Sequence, residues 1–289
     1  MKFSFWLVGL LLIFHIGCQP ETRIVPVSDN TAPPDLSVPE VLKENFINKS
    51  YISLLGRKPT EVEFSTGLST LNLGQTNVDS RKAVLRSIVD QPEFGIRMFD
   101  VALLEILNGV DTAEIRQQID IFYLLLTQPE YQPFREFIEI EIAELEALMG
   151  AQAELVQGNI NRAELHRRCI NNGVYDEINM GTQNFILATF EYFLGRYPTE
   201  AEEEAAIQMV DGFNTVLFGT SGTGKEGFLH VFFDSDDYFE GQVRDVYQDF
   251  LFRAPSSWEM SQATIAFKEQ GDFAALLIDI LSTDEYLGL

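Results

Sequence analysis

Residues 190–202 read FEYFLGRYPTEAE, and this stretch decides the fold because two related stretches occur elsewhere in the chain. They are YISLLGRKPTEVE at residues 51–63 and YQDFLFRAPSSWE at residues 247–259. In each stretch an aromatic residue and a leucine lie three or four positions apart, which places them on one face of a helix. An arginine, a proline and a hydroxyl residue follow. The pattern predicts one helix that ends, a sharp turn, and a second helix that begins.

The residues of the turn have physical roles that support this prediction. Gly56 and Gly195 suit the left-handed conformation in which many helices end. A proline cannot continue a helix, and it restricts the residue before it; the three prolines are Pro59, Pro198 and Pro255. A capping box then follows, in which a hydroxyl residue precedes a glutamate by three positions. The boxes are Thr60 with Glu63, Thr199 with Glu202, and Ser256 with Glu259.

Three arginines occupy the same place in these stretches, six residues before the glutamate of each capping box: Arg57, Arg196 and Arg253. One interpretation makes them ligand-binding residues, because a guanidinium recognises carboxylates and phosphates. The other makes them structural residues that tie each junction to its own glutamate or to the carbonyl groups of the preceding helix. Their recurrence at one position of every copy favours the structural interpretation.

A second signature closes each unit and starts the next helix. It reads IVDQPEF at residues 88–94, FFDSDDY at 232–238 and ILSTDEY at 280–286. A degenerate fourth copy lies between the first two, with a capping box at 111–114 and the closing sequence LLTQPEY at 125–131. The box of this copy pairs Asp111 with Glu114. The closing signatures predict helix caps at Asp90, Thr127, Asp234 and Ser282.

These starts and stops predict an all-α chain with three clear repeat units and one degenerate unit, packed into a compact multi-helix body. We predict one helical domain over residues 40–160, which holds the first unit and the degenerate unit. A second helical domain over residues 161–289 holds the other two units. The predicted helices cover residues 40–55, 61–73, 79–90, 92–107, 112–126, 130–156, 161–171, 175–194, 200–211, 225–234, 237–252, 257–270 and 272–282.

The first residues of the chain indicate export. A basic residue, Lys2, precedes an apolar run from Phe5 to Phe14. Ten residues are too few to span a bilayer as a helix, but they are typical of the apolar core of a signal peptide. The run leads to Gly17 and Cys18, which resemble the cleavage site of bacterial lipoproteins, where the cysteine is lipidated. We therefore predict a signal peptide over residues 1–17.

Lipidation of Cys18 would leave a lipid-anchored chain; the alternative is an ordinary secretory signal with an incidental cysteine. Five prolines fall between Pro20 and Pro39. Because proline keeps a chain extended and semi-rigid, residues 18–39 are predicted to form a tether.

If Cys18 carries a lipid, the second cysteine, Cys169, has no intramolecular disulfide partner. These features predict an outer-membrane lipoprotein of a Gram-negative bacterium, located in the cell envelope.

The charge of the chain argues against several partners. There are 44 acidic and 20 basic residues, which give a net charge of −24. Nucleic-acid binding depends on clustered lysine and arginine that neutralise phosphate, so the composition opposes a nucleic-acid partner. We predict attachment to the membrane through the N-terminal lipid, an unidentified envelope protein as partner, and no nucleotide.

Three motifs resemble ligand sites but fit structural interpretations better. Residues 219–226, GTSGTGKE, nearly match a P-loop, yet Glu226 stands where a hydroxyl ligand of magnesium is needed, and a loop insertion explains the stretch. His166 and Cys169 lie three residues apart on a predicted helix, but no second Cys/His pair completes a zinc site. Residues 234–237 lack the glycine and glutamate spacing of an EF-hand. We predict no metal, no cofactor and no catalytic residue.

Residues 136–146 combine glutamates with isoleucine and leucine in a pattern that predicts an acidic amphipathic helix. We interpret its acidic side as a solvated face, with a partner-binding face as the alternative. The glutamates are Glu136, Glu139, Glu141, Glu144 and Glu146, and the apolar residues are Ile138, Ile140, Ile142 and Leu145.

The repeated element resembles a known family. In each copy, the aromatic residue of the closing signature follows the arginine by 33 to 42 residues, with an acidic residue just before it. This family is a helical repeat domain of unknown function in secreted and surface bacterial proteins, and it is similar, more distantly, to the phycobilisome linker domain. The resemblance covers residues 45–95, 185–240 and 242–289, and it implies an interaction or scaffolding module without known catalytic residues.

We therefore predict a non-enzymatic, membrane-anchored lipoprotein that scaffolds components of the bacterial envelope. The alternative is an envelope hydrolase or a carbohydrate-binding lipoprotein, with its site in a cleft between repeats. A cleft lined by two carboxylates from outside the repeated motifs, with raised pKa values, would support the alternative.

Overall fold

The computed structural model describes residues 38–289, and the all-α prediction is confirmed for this part of the chain. The predicted signal peptide, Cys18 and all but the end of the predicted tether lie outside the described residues. None of the described helices is both long enough and apolar enough to cross a membrane. The helices are α1 (Glu40–Leu55), α2 (Glu61–Leu73), α3 (Val78–Val89), α4 (Pro92–Ile106), α5 (Thr112–Leu126), α6 (Arg135–Val156), α7 (Arg162–Ile170), α8 (Gly173–Ile178), α9 (Thr182–Leu194), α10 (Glu200–Val210), α11 (Gly224–Phe233), α12 (Asp236–Leu251), α13 (Ser257–Gln270), α14 (Phe273–Leu281) and α15 (Asp284–Leu287).

Capping boxes begin four of these helices, at the positions that the sequence indicates. In α2, α5, α10 and α13 the cap side chain accepts a hydrogen bond from the backbone N–H three residues later. The glutamate at that position accepts a bond from the N–H of the cap residue in return. Two backbone donors that would otherwise lack a partner are thereby satisfied at each helix start. The caps are Thr60, Asp111, Thr199 and Ser256.

The closing signatures also start helices, but the four predicted caps are wrong by one residue: Asp90, Thr127, Asp234 and Ser282. Each of these residues ends the preceding helix, and the residue after it caps the next one. Ser235 and Thr283 accept cap bonds from backbone N–H groups of α12 and α15. Gln91 and Gln128 make no such bond, but a proline without an N–H follows each of them, so one donor fewer needs a partner.

Two predicted helices are interrupted. The helix predicted over residues 175–194 is divided into α8 and α9, because Gly181 has a φ of 89°, outside the range of a right-handed helix. The helix predicted over 130–156 begins as a 3₁₀ helix at Pro129–Phe134, and α6 follows it. Pro133 lies inside the 3₁₀ segment and has no N–H to donate, which explains why the α-helix begins only at Arg135.

The glycine-rich stretch forms a hairpin, which the sequence did not predict. Strands β1 (Thr215–Leu217) and β2 (Thr220–Gly222) pair antiparallel, with Leu217 opposite Thr220. The two residues between the strands, Phe218 and Gly219, both have positive φ angles, as a tight two-residue hairpin turn requires. The insertion between α10 and α11 is therefore an ordered hairpin.

Two clusters of buried apolar side chains form the interior. The first cluster draws its residues from Phe99 through Tyr238 and is rich in phenylalanine rings. The second brings together residues 46–94 and 243–287, which are far apart in sequence. Helices α4 and α12 contribute to both clusters: Phe94 and Val243 belong to the second, Phe99 and Tyr238 to the first. These two helices therefore pass between the two parts of the core.

The beginning and the end of the described chain lie together. Helix α1 packs against α15, and α3 packs against α14. Arg81 Nη2 donates to Asp284 Oδ1 at 2.7 Å, and Lys49 donates to the backbone carbonyl of Tyr286. Residues 38–289 form one compact unit, and α6 packs against α7 across the domain boundary that we predicted at residue 160. The arrangement is thus compact, and that boundary does not divide it into two separate units.

The left-handed residue that ends α12 is a phenylalanine, whereas glycine fills this position after α1 and α9. Phe252 has a φ of 56° and its side chain is 89% exposed. A bulky residue in this conformation destabilises the fold by about 1–2 kcal/mol through steric repulsion, and almost no packing offsets the penalty. Gly195, at φ 60°, makes the same turn without this penalty.

We expect Phe252→Gly to raise the free energy of unfolding by about 1 kcal/mol, because glycine removes the steric repulsion and little buried surface is lost. Urea denaturation of both proteins measures the change. The matched control is Gly195→Ala, which introduces the same strain and should lower stability by about the same amount. A Phe252→Gly protein that is less stable than the parent contradicts this account.

Candidate functional site

The three recurring arginines make the same contacts at three junctions. The guanidinium of Arg196 binds both carboxylate oxygens of Glu202, at 2.8 Å each. Arg57 holds Glu63 in the same way at 2.9 Å, and Arg253 holds Glu259 at 2.7 and 3.0 Å. Each arginine also donates to the backbone carbonyl of the residue after it. These are the contacts that the structural interpretation requires, and we call each set an arginine clamp.

Each clamp includes an acidic partner that the sequence analysis did not identify. Arg57 Nε donates to Glu93 at 2.7 Å, and Arg196 Nη2 donates to Asp237 at 2.8 Å. Arg253 donates to Glu285 through two nitrogens, at 2.7 Å each. All three acids belong to the closing signatures, and each is the second residue of its helix, α4, α12 or α15. Their shared position between the cap residue and the aromatic was the signal that could have revealed the pairing.

The clamps use the other motif residues as well. The guanidiniums of Arg57, Arg196 and Arg253 lie 5.1–5.5 Å from the ring centres of Tyr51, Phe190 and Tyr247, the aromatics that open the three stretches. The arginine hydrogen bonds lower the pKa of each capping glutamate to about 2. The capping glutamates therefore stay ionised at pH values well below the ordinary pKa of a glutamate. The prolines Pro59, Pro198 and Pro255 precede the cap residues and lie in the turns that the clamps close.

In the stretch that nearly matches a P-loop, residues 219–226, Lys225 and Glu226 form polar contacts with side chains of other helices. Lys225 Nζ pairs with the Asp176 carboxylate at 2.8 Å. Glu226 accepts hydrogen bonds from Asn171 at 2.8 Å and from Arg167 at 3.3 Å. These contacts attach the start of α11 to α7 and α8.

The acidic run at residues 234–237 likewise contacts basic side chains. Asp237 belongs to the second clamp, and Asp236 pairs with Lys268. The Asp234 carboxylate lies 3.1 Å from His230 Nδ1. Among residues 38–289, no three histidine, cysteine or acidic side chains are grouped closely enough to hold a metal ion.

His166 and Cys169 are both buried. Burial raises the pKa of the Cys169 thiol to about 12, so the thiol stays protonated. His166 is 3% exposed, and its Nδ1 lies 2.9 Å from the hydroxyl of Tyr238. Burial, followed by the charge of Arg162, lowers the pKa of His166 well below its ordinary value, so the ring is neutral at pH 7.

A cavity of about 300 Å³ lies where helices from both parts of the core meet. The last turns of α1, α4, α9 and α12 border it through Ser53, Glu105, Tyr192 and Asp249. Three of these residues occupy one aligned position, three residues before the left-handed residue that ends the helix: Ser53, Tyr192 and Asp249. The helices that lead into the three clamps therefore converge on this cavity. We call it the junction cavity.

One cation, Arg162, is held in place on the wall of the junction cavity. Its Nε donates to Nε2 of His166 at 3.2 Å, and its guanidinium lies 3.9 Å from the ring centre of Phe273. Because arginine cannot accept a hydrogen bond, Nε2 of His166 must be the acceptor, and the ring proton is on Nδ1 towards Tyr238. Within residues 38–289, no carboxylate lies within 4.0 Å of the Arg162 nitrogens, and neither terminal nitrogen donates a hydrogen bond.

Carboxylates lie near the same cavity. Glu105 accepts a hydrogen bond from the hydroxyl of Tyr192 at 3.1 Å. Burial and then repulsion by Glu105 raise the pKa of Asp249. One turn earlier on α12, burial raises the pKa of Asp245 to about 6. The charge of Arg162, which also lines the cavity, acts against this rise for both aspartates.

The acidic face of α6 is only partly solvated, so the prediction of a solvated face is wrong for Glu141. This residue is 8% exposed and accepts a hydrogen bond from the backbone N–H of Gly173 at 3.1 Å. Glu144 is half-buried beside it. Burial, followed by repulsion from Glu141, raises the pKa of Glu144 to about 7. Conversely, Ile140, which we assigned to the apolar side, is exposed.

Comparison of the chain with protein-family models, with curated protein sequences and with solved structures found no match. The contacts described above are therefore the basis for the functional argument.

We expect Glu144→Gln to stabilise the protein at pH 8 but not at pH 4.5. A folded-state pKa raised from 4.5 to about 7 means that the native protein retains this proton while the unfolded chain loses it. Stability is therefore lost as the pH rises through this window, and glutamine removes the loss. Because solvent screens a half-exposed group, we expect about 1 kcal/mol, or a Tm higher by about 2–4 °C.

Thermal denaturation at both pH values measures this effect. Glu136→Gln is the matched control, because Glu136 is an exposed glutamate on the same helix, and its substitution should change the Tm equally little at both pH values. Equal effects of Glu144→Gln on the Tm at pH 4.5 and pH 8 would show that the ionisation of Glu144 does not make the stability depend on pH.

Proposed function

We propose that this protein is a non-enzymatic, membrane-anchored lipoprotein whose helical body acts as an interaction or scaffolding module in the bacterial cell envelope. The sequence around Cys18 supports the anchor, and the proline-rich residues after it support a tether that holds the body away from the membrane. The observation that carries the interaction role lies at the third junction.

Two large aromatic side chains are exposed at this junction. Phe252 and Trp258 are 89% and 72% exposed, and they flank Arg253 in the sequence. The corresponding positions of the second junction hold Gly195 and Ala201, which present no aromatic surface. Tryptophan and other aromatic side chains contribute most strongly to binding energy at protein interfaces.

The third clamp fixes the turn that carries these two aromatics. Arg253 binds Glu259 and Glu285, so the turn between Phe252 and Trp258 is fixed on both sides. A partner therefore gains contact area without having to order a flexible loop, which lowers the entropic penalty of binding. The charge of −24 favours a partner whose contact surface is neutral or basic.

The experiment compares affinity capture from detergent-solubilised envelopes with the full-length protein and with a Phe252→Gly/Trp258→Ala variant. We expect the variant to recover at least one envelope protein about tenfold less, because the main contact surface is removed. Leu73→Ala is the matched control, since Leu73 is equally exposed but lies at the end of α2. Recovery of the same proteins in the same amounts by all three would contradict the proposal.

The anchor is tested in the same cells. Cys18→Ala removes the sulfur that would carry the lipid, so we expect the protein to move from the membrane fraction to the soluble fraction. Unchanged membrane association of this variant, measured by fractionation and immunoblotting, would contradict lipidation at Cys18.

The alternative, an envelope hydrolase or a carbohydrate-binding lipoprotein, has one supporting observation. The junction cavity lies between the repeated segments, and the pKa of one carboxylate on its wall, Asp249 of the third repeated stretch, is raised. Saturable binding of a neutral oligosaccharide in this cavity would favour the alternative.

A further inference from the structure

The junction cavity is lined by charges of both signs that do not form a direct ion pair. Arg97 and Arg162 line it together with Glu105 and Asp249. In the described part of the chain, no ion pair within 4.0 Å joins either arginine to either acid. A cation and an anion that share a small cavity without pairing leave room for a ligand that carries both charges.

The positive side of the cavity is built around Arg162. His166 and Phe273 fix the orientation of its guanidinium, and His166 is in turn fixed by the buried hydroxyl of Tyr238. Within residues 38–289 neither terminal nitrogen of Arg162 donates a hydrogen bond, so both can donate to a ligand. A planar guanidinium with two free donors matches the two oxygens of a carboxylate.

The carboxylates of Glu105 and Asp249 suit an ammonium group. Glu105 and Asp249 repel each other, so a cation between them would relieve that repulsion. Glu105 and Asp249 both lie in the last turn of a helix, where the carbonyl groups add partial negative charge. A dianion such as phosphate would meet these carboxylates, and a simple cation would meet the two arginines.

The remaining wall is apolar and the space is small. Leu54, Met98, Phe250 and Leu277 contribute side chains to it. A volume of about 300 Å³ is at the lower end of the range for ligand pockets, so it suits a molecule with few heavy atoms.

We propose that the junction cavity binds a small zwitterion, an α-amino acid with an apolar side chain. Its carboxylate binds Arg162, its ammonium group lies between Glu105 and Asp249, and its side chain contacts the apolar wall. This inference goes beyond the scaffolding role and does not depend on it, because the exposed aromatics of the third junction lie outside the residues that line the cavity.

Isothermal titration calorimetry on the full-length protein tests the assignment with four probes: L-leucine, N-acetyl-L-leucine, L-leucinamide and N,N′-diacetylchitobiose. We expect L-leucine to bind with one site per chain. The two derivatives each lack one charge, so each should bind about tenfold or more weakly, and the neutral disaccharide should not bind.

Two variants assign the charges to residues. Arg162→Gln should weaken leucine binding about tenfold. It should leave the affinity for leucinamide unchanged, because leucinamide has no carboxylate. Asp249→Asn should weaken leucine binding similarly. It should leave the affinity for N-acetyl-leucine unchanged, because N-acetyl-leucine has no ammonium group. Although its carboxylate is partly desolvated, Asp249 as a whole residue keeps solvent exposure, so this variant should fold even if Arg162→Gln does not. Arg135→Gln, on the outer surface of α6, is the control and should bind leucine as the parent does.

Three results would overturn the proposal: the absence of saturable leucine binding up to about 10 mM, equal binding of leucine and its blocked derivatives, or leucine binding that survives Asp249→Asn unchanged. Binding of the disaccharide in place of leucine would also overturn it and would support the carbohydrate-binding alternative.

Discussion

At each clamped junction a single arginine contacts at least four residues, one through its aromatic ring and the others through hydrogen bonds. Arg196 lies beside the ring of Phe190, donates to the carbonyl of Tyr197, binds Glu202 with two bonds and reaches Asp237. A guanidinium has five donors in one plane, so these acceptors must lie in fixed positions for all bonds to form together. The turn, the start of the next helix and the start of a later helix are thus oriented by one side chain.

The clamped helices also border the junction cavity. Helices α1, α9 and α12 each end in a clamped turn, and the last turn of each lines this cavity. The side chains at the shared position differ, however: Ser53, Tyr192 and Asp249 have different sizes and charges. The repeated part of the sequence therefore provides the frame, and the variable part provides the chemistry of the cavity. The same division applies at the third junction, where Phe252 and Trp258 replace smaller residues.

The sequence predicts local features of this structure well because their causes are local. A capping box links residues three positions apart, so Thr199 and Glu202 indicate the start of α10 without knowledge of the rest of the fold. The cap at Ser235 was placed one residue too early because α11 and α12 abut, and the same short stretch ends one helix and begins the next. The break before α9 depends on the conformation of Gly181, which periodicity does not reveal.

Features that depend on contacts distant in sequence could not be predicted in this way. The sequence pattern placed Glu141 on a polar helix face, but this residue is buried, and the backbone N–H of Gly173 at the start of α8 donates to its carboxylate. The pairing of Arg196 with Asp237 spans 41 residues. The junction cavity requires the positions of six helices, so neither Arg162 nor Asp249 was identified as a candidate site residue. In contrast, all residues of the clamps belong to the repeated motifs. Only the pairing of each arginine with the acidic residue of a closing signature was not predicted.

The most direct test of the clamp is a double-mutant cycle between Arg196 and Asp237, measured by urea denaturation of Arg196→Gln, Asp237→Asn and the double variant. If the clamp joins the second junction to α12, the two substitutions are coupled by about 1–2 kcal/mol, as expected for a charge-assisted hydrogen bond in a network. For the exposed pair Arg135 and Glu139, four residues apart on α6, the coupling energy should be only about 0.3–0.5 kcal/mol. Additive effects at Arg196 and Asp237, within about 0.3 kcal/mol, would contradict the account.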